Sequence, residues 1–138
     1  MQKISCMMMG LFMAVIASAQ CDTRTTWMAS ATEFVKADST VQSKPGNVTV
    51  ITSKDSFLVS TQDGEEELKG DVSSYQCNWK DSANGNISFK SNITDKRGRL
   101  RHATITIEAK SGKTVIWLVA EEEPTKIKLP VDSYVVEK

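Results

Sequence analysis

The chain has 138 residues, and its 17 basic and 17 acidic side chains give a net charge of zero at pH 7. This balance excludes nucleic-acid binding through bulk electrostatics, which needs a strongly basic surface. The length suits one domain and is sufficient to bury a real core.

The N-terminus has the pattern of a secretion signal. Lys3 precedes an apolar run from Ile4 to Ile16, and Ala17-Ser18-Ala19 has the small-x-small form that signal peptidase recognises. We therefore predict a signal peptide over residues 1–19, cleaved after Ala19, and a single secreted or periplasmic domain over residues 20–138. No later stretch approaches the roughly 18 apolar residues of a transmembrane helix.

Removal of the signal leaves two cysteines, Cys21 and Cys77. A pair of cysteines in an oxidising compartment usually forms a disulfide, which is the prediction here. One alternative is that both thiols stay free. The other is a lipid anchor on Cys21, because bacterial lipoproteins are cut just before a cysteine. The anchor is the less favoured, because Gln20 stands where a small residue is expected.

The stretch over residues 23–40 carries two conflicting signals. Trp27 and Phe34 recur with other apolar residues at helical spacing, whereas several threonines favour a strand. This stretch is predicted to be a first strand or a short helix. Residues 43–47 (Ser-Lys-Pro-Gly-Asn) are predicted to break the chain.

From Val48 onward, apolar and polar residues alternate in short runs, as in strands with one buried face. Turn sequences separate the runs, and Asn84-Gly85 is the strongest of them because both residues tolerate a positive φ. Residues 62–72 are polar and predict a loop or a charged hairpin tip. The predicted inward positions are Val48, Val50, Phe57, Val59, Tyr75, Cys77, Trp79, Ile87, Phe89, Ile93, Ala103, Ile105, Ile107 and Ala109.

The C-terminal part contains one strand of a different character. Val115–Ala120 is apolar on both faces, which predicts a strand that is covered on both sides or lies at a partner interface, with Ile116 and Leu118 in the contact. A short piece after it is cut off by Pro130, and residues 134–136 are predicted to form an edge strand.

Strands that follow one another through short turns predict an all-β fold, an antiparallel meander. We expect a small barrel or a strongly curved sheet, with one short N-terminal helix as an option. A β-sandwich is the alternative, because it needs the same alternation.

Two sets of side chains are candidates for ligand binding. The basic run 96–101 brings Arg97, Arg99 and Arg101 to a predicted turn, where they would meet an anion, or would pair with the acidic run 121–123. Trp79 and Trp117 are aromatic candidates for lining a cleft. The plainer alternatives are a solvated turn for the arginines and core packing for the tryptophans.

Catalytic and metal-binding patterns are weak in this sequence. His102 is the only histidine, and no nucleophile motif accompanies it. Zinc spacing and nucleotide-binding glycine patterns are lacking, and the acidic run near Glu66 matches no calcium loop. We therefore predict that the protein is not an enzyme and needs no metal and no cofactor.

The function predicted from these observations is that of a small secreted, non-catalytic binding module for an apolar small molecule or a glycan. The alternative is an interaction or inhibitor protein that acts through an exposed strand. Both predictions follow mainly from the fold class and the compartment.

Overall fold

A computed structural model describes residue 21, residues 23–81 and residues 83–137. The predicted signal peptide, with its cleavage site after Ala19, lies outside these residues. All regular elements in the described part are strands, so the short N-terminal helix is wrong. The strands are β1 (Arg24–Val35), β2 (Val41–Thr52), β3 (Ser56–Thr61), β4 (Glu67–Asp71), β5 (Ser73–Trp79), β6 (Gly85–Asp95), β7 (Leu100–Lys110), β8 (Lys113–Ala120), β9 (Lys126–Val131) and β10 (Ser133–Glu137).

The strands form a closed antiparallel barrel. β1 pairs with β2 on one side and with β9 on the other, which joins the two ends of the sheet. β9 and β10 pair with β1 in one continuous register, so they run as one long strand with a short interruption. β4 and β5 likewise follow one another along β6. The result is an eight-stranded up-and-down barrel with two extensions, as the meander predicted, and not a sandwich.

The core lies inside this barrel, and the period-two alternation locates it correctly. All the positions predicted to point inward belong to the buried core or pack against it. Ile105 and Ile107 in β7 have no solvent exposure at all, while His102 and Thr104 on the other face of the strand are exposed. Alternation therefore decided which face of each strand is covered.

Strand β2 runs through the residues that were predicted to break the chain, and that prediction is wrong. The register between β1 and β2 shifts between Ala29 and Ala31, where β2 contains one extra residue. Gly46 lies in this bulge with φ of +144°, which suits glycine. The bulge accommodates Pro45 and Gly46 without ending the strand.

Three further local predictions need correction. β4 lies inside the predicted loop 62–72, and Pro130 lies within β9, where it pairs with Val115. The hairpin at Asn84 forms without a positive φ at either predicted residue; instead the Asp81 carboxylate accepts hydrogen bonds from the loop backbone at 2.8 and 2.9 Å. Positive φ values occur at Ser111 and Gly112, in the two-residue turn between β7 and β8.

One end of the barrel is filled by aromatic side chains. The Trp27 ring centroid lies 5.0 Å from that of Tyr134 and 6.0 Å from that of Trp79. Trp27 Nε1 donates a hydrogen bond of 2.9 Å to the buried Thr52 hydroxyl, which satisfies the indole. We call this the closed end. Phe57 and Phe89 lie just above it in an edge-to-face contact.

The predicted disulfide joins Cys21 to Cys77 at the closed end, with the two Cα atoms 5.4 Å apart. It ties the chain just before β1 to β5. The Tyr75 hydroxyl reinforces the link by donating to the Cys21 carbonyl oxygen. Because the Cys21 sulfur is used in this bond, it is not the attachment point of a lipid in this state. A structural disulfide is typical of an oxidising compartment.

Candidate ligand cavity at the open end of the barrel

The end of the barrel opposite the aromatic plug is open. A cavity of about 600 Å³ lies there, and a side chamber of about 290 Å³ adjoins it. The two lie side by side and share Phe34, Leu68, Leu118 and Ile127 in their walls. Since the barrel is antiparallel, these residues come from the C-terminal halves of β1 and β8 and from the start of β4 and β9.

The floor and walls of this space are apolar. Leu118 and Leu129 belong to the buried core and separate the cavity from the packed half of the barrel. Polar groups are concentrated at the rim, where the backbone turns between strands. The apolar residues in contact with the space are Phe34, Pro45, Val48, Val59, Leu68, Ile93, Leu118, Ala120, Ile127 and Leu129.

Phe34 lines the cavity because the inward-facing positions of β1 change from odd to even numbers near the register shift with β2. Trp27 and Ala29 point inward at odd positions of the strand. Beyond the register shift, Thr32 and Phe34 line the cavity at even positions. Phe34 pairs with Ile127, which in turn pairs with Leu118, so these apolar side chains lie side by side. Sequence reasoning missed this wall, since the phase of the alternation changes within one strand.

Arg99 at the rim is firmly held by Asp95. Asp95 Oδ2 accepts a hydrogen bond of 2.9 Å from Arg99 Nε, and Oδ1 accepts the backbone N–H groups of Arg97 and Arg99 at 2.9 and 3.0 Å. The Asp95 side chain is only 8% exposed. These hydrogen bonds, the backbone one from Arg99 first, hold the Asp95 pKa below its usual value of 3.8. Asp95 therefore organises the turn between β6 and β7.

Arg101 at the side chamber has a looser partner. Arg101 Nη2 lies 2.9 Å from Oε1 of Glu123, which belongs to the loop between β8 and β9. The side chains are 29% and 43% exposed, respectively. This is a single contact to a carboxylate on a loop, without the backbone hydrogen bonds that hold Asp95.

The neighbouring residues form a second link on the outside of the barrel. His102 Nδ1 lies 2.6 Å from Glu122 Oε2, and the His102 backbone N–H donates to the same carboxylate at 3.0 Å. The hydrogen bond and the charge of Glu122 raise the pKa of His102 above 6.5. The same hydrogen bond lowers the pKa of Glu122. Of the alternatives for the basic run, pairing with the acidic run occurs within the molecule, between Arg101 and Glu123. The His102–Glu122 contact is a second link that attaches the β8–β9 loop to β7.

The residues predicted to bind ligand divide between the cavity and other places. Arg99 and Arg101 line the side chamber. Trp79 is 7% exposed and belongs to the aromatic plug. Trp117 lies on the outer face of β8 with Lys128 Nζ 5.6 Å from its ring centroid, and Arg97 is exposed in the turn.

One group of potential metal ligands lies outside the cavity. His102, Glu121 and Glu122 offer ligand atoms within 4.8 Å of one another, and all three residues are exposed. Exposed acidic groups of this kind are common on protein surfaces, and His102 is already paired with Glu122. The arrangement does not by itself point to a bound ion.

The fold and the cavity define a class of protein: an up-and-down barrel with one packed end and one open, apolar end. Comparisons of the chain with family models, with curated proteins and with solved structures found no match. The function therefore has to be argued from the geometry of the chain itself. In the described part, no helix is long and apolar enough to cross a bilayer.

Proposed function

We propose that the protein is a small secreted binding module that holds an apolar small molecule in the open end of its barrel. The observation that carries this proposal is the cavity of about 600 Å³ at the open end, with a side chamber of about 290 Å³ next to it. Spaces of roughly 300–1,000 Å³ with apolar walls and a few polar groups are typical of small-molecule sites. An eight-stranded barrel has room for its own side chains or for one small ligand.

The unequal packing of the two ends supports this proposal. Large aromatic side chains, among them Trp27 and Phe57, fill the closed end, while the apolar lining of the open end is aliphatic except for Phe34. Burial of apolar ligand surface contributes about 25 cal/mol per Å² before the costs of association. A ligand that covered Leu68, Ile127 and Phe34 would therefore gain its affinity mainly from these side chains.

The aromatic residues favour an apolar ligand over a glycan. Sugar rings stack on exposed aromatic faces, but Trp79 lies in the plug and Trp117 on the outer wall. The same geometry supports a non-catalytic role. His102, the only histidine of the sequence, is exposed on the outer face of β7 and is paired with Glu122.

The proposal includes a location outside the cytoplasm. The disulfide supports an oxidising environment, and a signal peptide cleaved after Ala19 would deliver the domain to the periplasm or the medium. Mass spectrometry of protein secreted by its host tests this. A mass equal to residues 20–138 less two hydrogens is expected, and a retained N-terminus would contradict it.

Binding is tested with N-phenyl-1-naphthylamine, an uncharged probe that becomes fluorescent in apolar sites. We expect saturable binding to the wild type. Thr32→Trp puts an indole into the cavity from its wall and should abolish binding. Thr104→Trp, the matched control on the exposed outer face of β7, should bind normally. Equal binding by the two variants would place the probe elsewhere and contradict the proposal.

A second candidate function, contact with another protein, is favoured by the outer face of β8. Val115, Trp117 and Val119 form a partly exposed apolar stripe there. Ile116 and Leu118, which the sequence suggested as contact residues, are core residues at 1% and 6% exposure, so that assignment is wrong. Trp117→Ser should turn a concentration-dependent dimer into a folded monomer; a wild type that stays monomeric in sedimentation removes this candidate.

A further inference from the structure

We propose that the ligand of the open end is an amphipathic monocarboxylate, whose apolar body fills the cavity and whose carboxylate binds Arg101 in place of Glu123. The inference rests on the proposed function, because it assumes that the cavity holds a ligand. It adds the chemical class of that ligand and its orientation.

Arg101 lies near the start of β7 and lines the side chamber. It shares the inward face of the strand with Ala103 and Ile105. Arg101 is the next inward-facing residue after the buried Ala103 in the direction of the rim. Its guanidinium therefore stands at the exit of a chamber whose walls include Ile93 and Ala120. A cation at the mouth of an apolar chamber is suited to an anionic group at the end of an apolar chain.

The carboxylate that pairs with Arg101 is less firmly held than the one that pairs with Arg99. Asp95 is locked by three hydrogen bonds within its own turn, and Arg99 is bound to it. Glu123, in contrast, offers one carboxylate oxygen to Arg101 and is 43% exposed on a loop. A guanidinium presents two parallel N–H donors to a carboxylate, so a ligand that makes both bonds would displace a partner that makes one.

The far side of the rim also carries charged side chains. Asp63 lies there, but its carboxylate already accepts hydrogen bonds from the Thr61 hydroxyl at 2.7 Å and the Glu65 backbone at 3.1 Å. These hydrogen bonds, the one from Thr61 first, lower the Asp63 pKa, and the charge of Lys44 contributes further. Glu65 and Glu66 line the same side, so Lys44 stands there against three carboxylates, and this side of the rim disfavours an anion. Arg101 on the opposite side is therefore the rim cation best placed to exchange its partner for a carboxylate.

The experiment measures displacement of bound N-phenyl-1-naphthylamine by dodecanoate and by dodecan-1-ol, which differ only in the head group. We expect the wild type to prefer dodecanoate by about tenfold, the equivalent of one net charge-assisted hydrogen bond. Arg101→Gln should remove this preference and leave the affinity for the alcohol unchanged. Arg97→Gln removes a neighbouring exposed arginine and should behave like the wild type.

Glu123→Gln supplies the opposite test. It keeps the size of the side chain but removes the charge that competes for Arg101, so the affinity for dodecanoate should rise by about threefold or more. The affinity for dodecan-1-ol should not change. This variant also keeps the inference testable if Arg101→Gln fails to fold, and thermal unfolding of each variant identifies such a failure.

The outcomes separate the inference from the function on which it rests. If the probe binds but dodecanoate and dodecan-1-ol displace it equally in the wild type, in Arg101→Gln and in Glu123→Gln, the inference is overturned and the binding function stands. A preference for dodecylamine would also overturn it, and would assign the head group to the acidic side of the rim. If the uncharged probe does not bind at all, the proposed function itself fails.

Discussion

Removal of the disulfide is the perturbation whose size follows most directly from the structure. Cys21 and Cys77 are 56 positions apart in the sequence, so the bond closes a long loop in the unfolded chain. The chain-entropy relation gives about 4 kcal/mol at 25 °C for a loop of this length. The double variant Cys21→Ser/Cys77→Ser should lose about this much free energy of unfolding, because its unfolded state regains that freedom.

The assay is urea unfolding followed by tryptophan fluorescence. With a slope of about 2 kcal/mol per M, the loss corresponds to a midpoint lower by about 2 M. A reducing agent should shift the wild type by a similar amount and leave the double variant unchanged. Probe binding at the open end should persist in the variant under native conditions, since the disulfide lies at the closed end. A midpoint within about 0.5 M of the wild type would refute the reasoning.

Three further predictions concern packing and titration. Gly85→Ala would place a Cβ atom against the Trp79 indole, 2.6 Å from Cε3 and 2.7 Å from Cγ, and should lower the free energy of unfolding by about 1–3 kcal/mol in the same urea assay. The His102 pKa, followed by NMR, should lie above 6.5 and return towards it in Glu122→Gln. The pair's stabilisation is complete between pH 4.5 and pH 6.5; it is lost as the pH rises through the raised pKa of His102 and as it falls through the lowered pKa of Glu122. The lowered pKa of Asp95 predicts stabilisation that is present above pH 3.8 and lost as the pH falls through the folded-state pKa, so the melting temperature of Asp95→Asn should depend less on pH in that acidic range.

The sequence by itself determined most of the strands and the buried faces of those that alternate regularly, but it missed β4 and the continuation of β2 through Pro45. Ile105 and Ile107 could be assigned to the core because period-two alternation is a local property of a strand, and it survives in any sheet with one covered face. The pairing of Cys21 with Cys77 was predictable for a different reason: only two cysteines remain after the predicted cleavage. Neither inference required knowledge of which strands are neighbours.

The tertiary structure alone decided where the cavity lies and which charges reach it. Phe34 lines the cavity because the inward face of β1 changes phase beyond Ala29, and Ile127 meets it because β9 closes the ring. Arg101 and Arg97 look alike in the basic run, yet only Arg101 faces inward at the rim. Closure of the barrel joins residues about 90 positions apart, and which end is filled depends on side-chain volumes contributed by all strands together. The local sequence pattern does not show which strands close the barrel or which end is filled, so the cavity became apparent only in the folded chain.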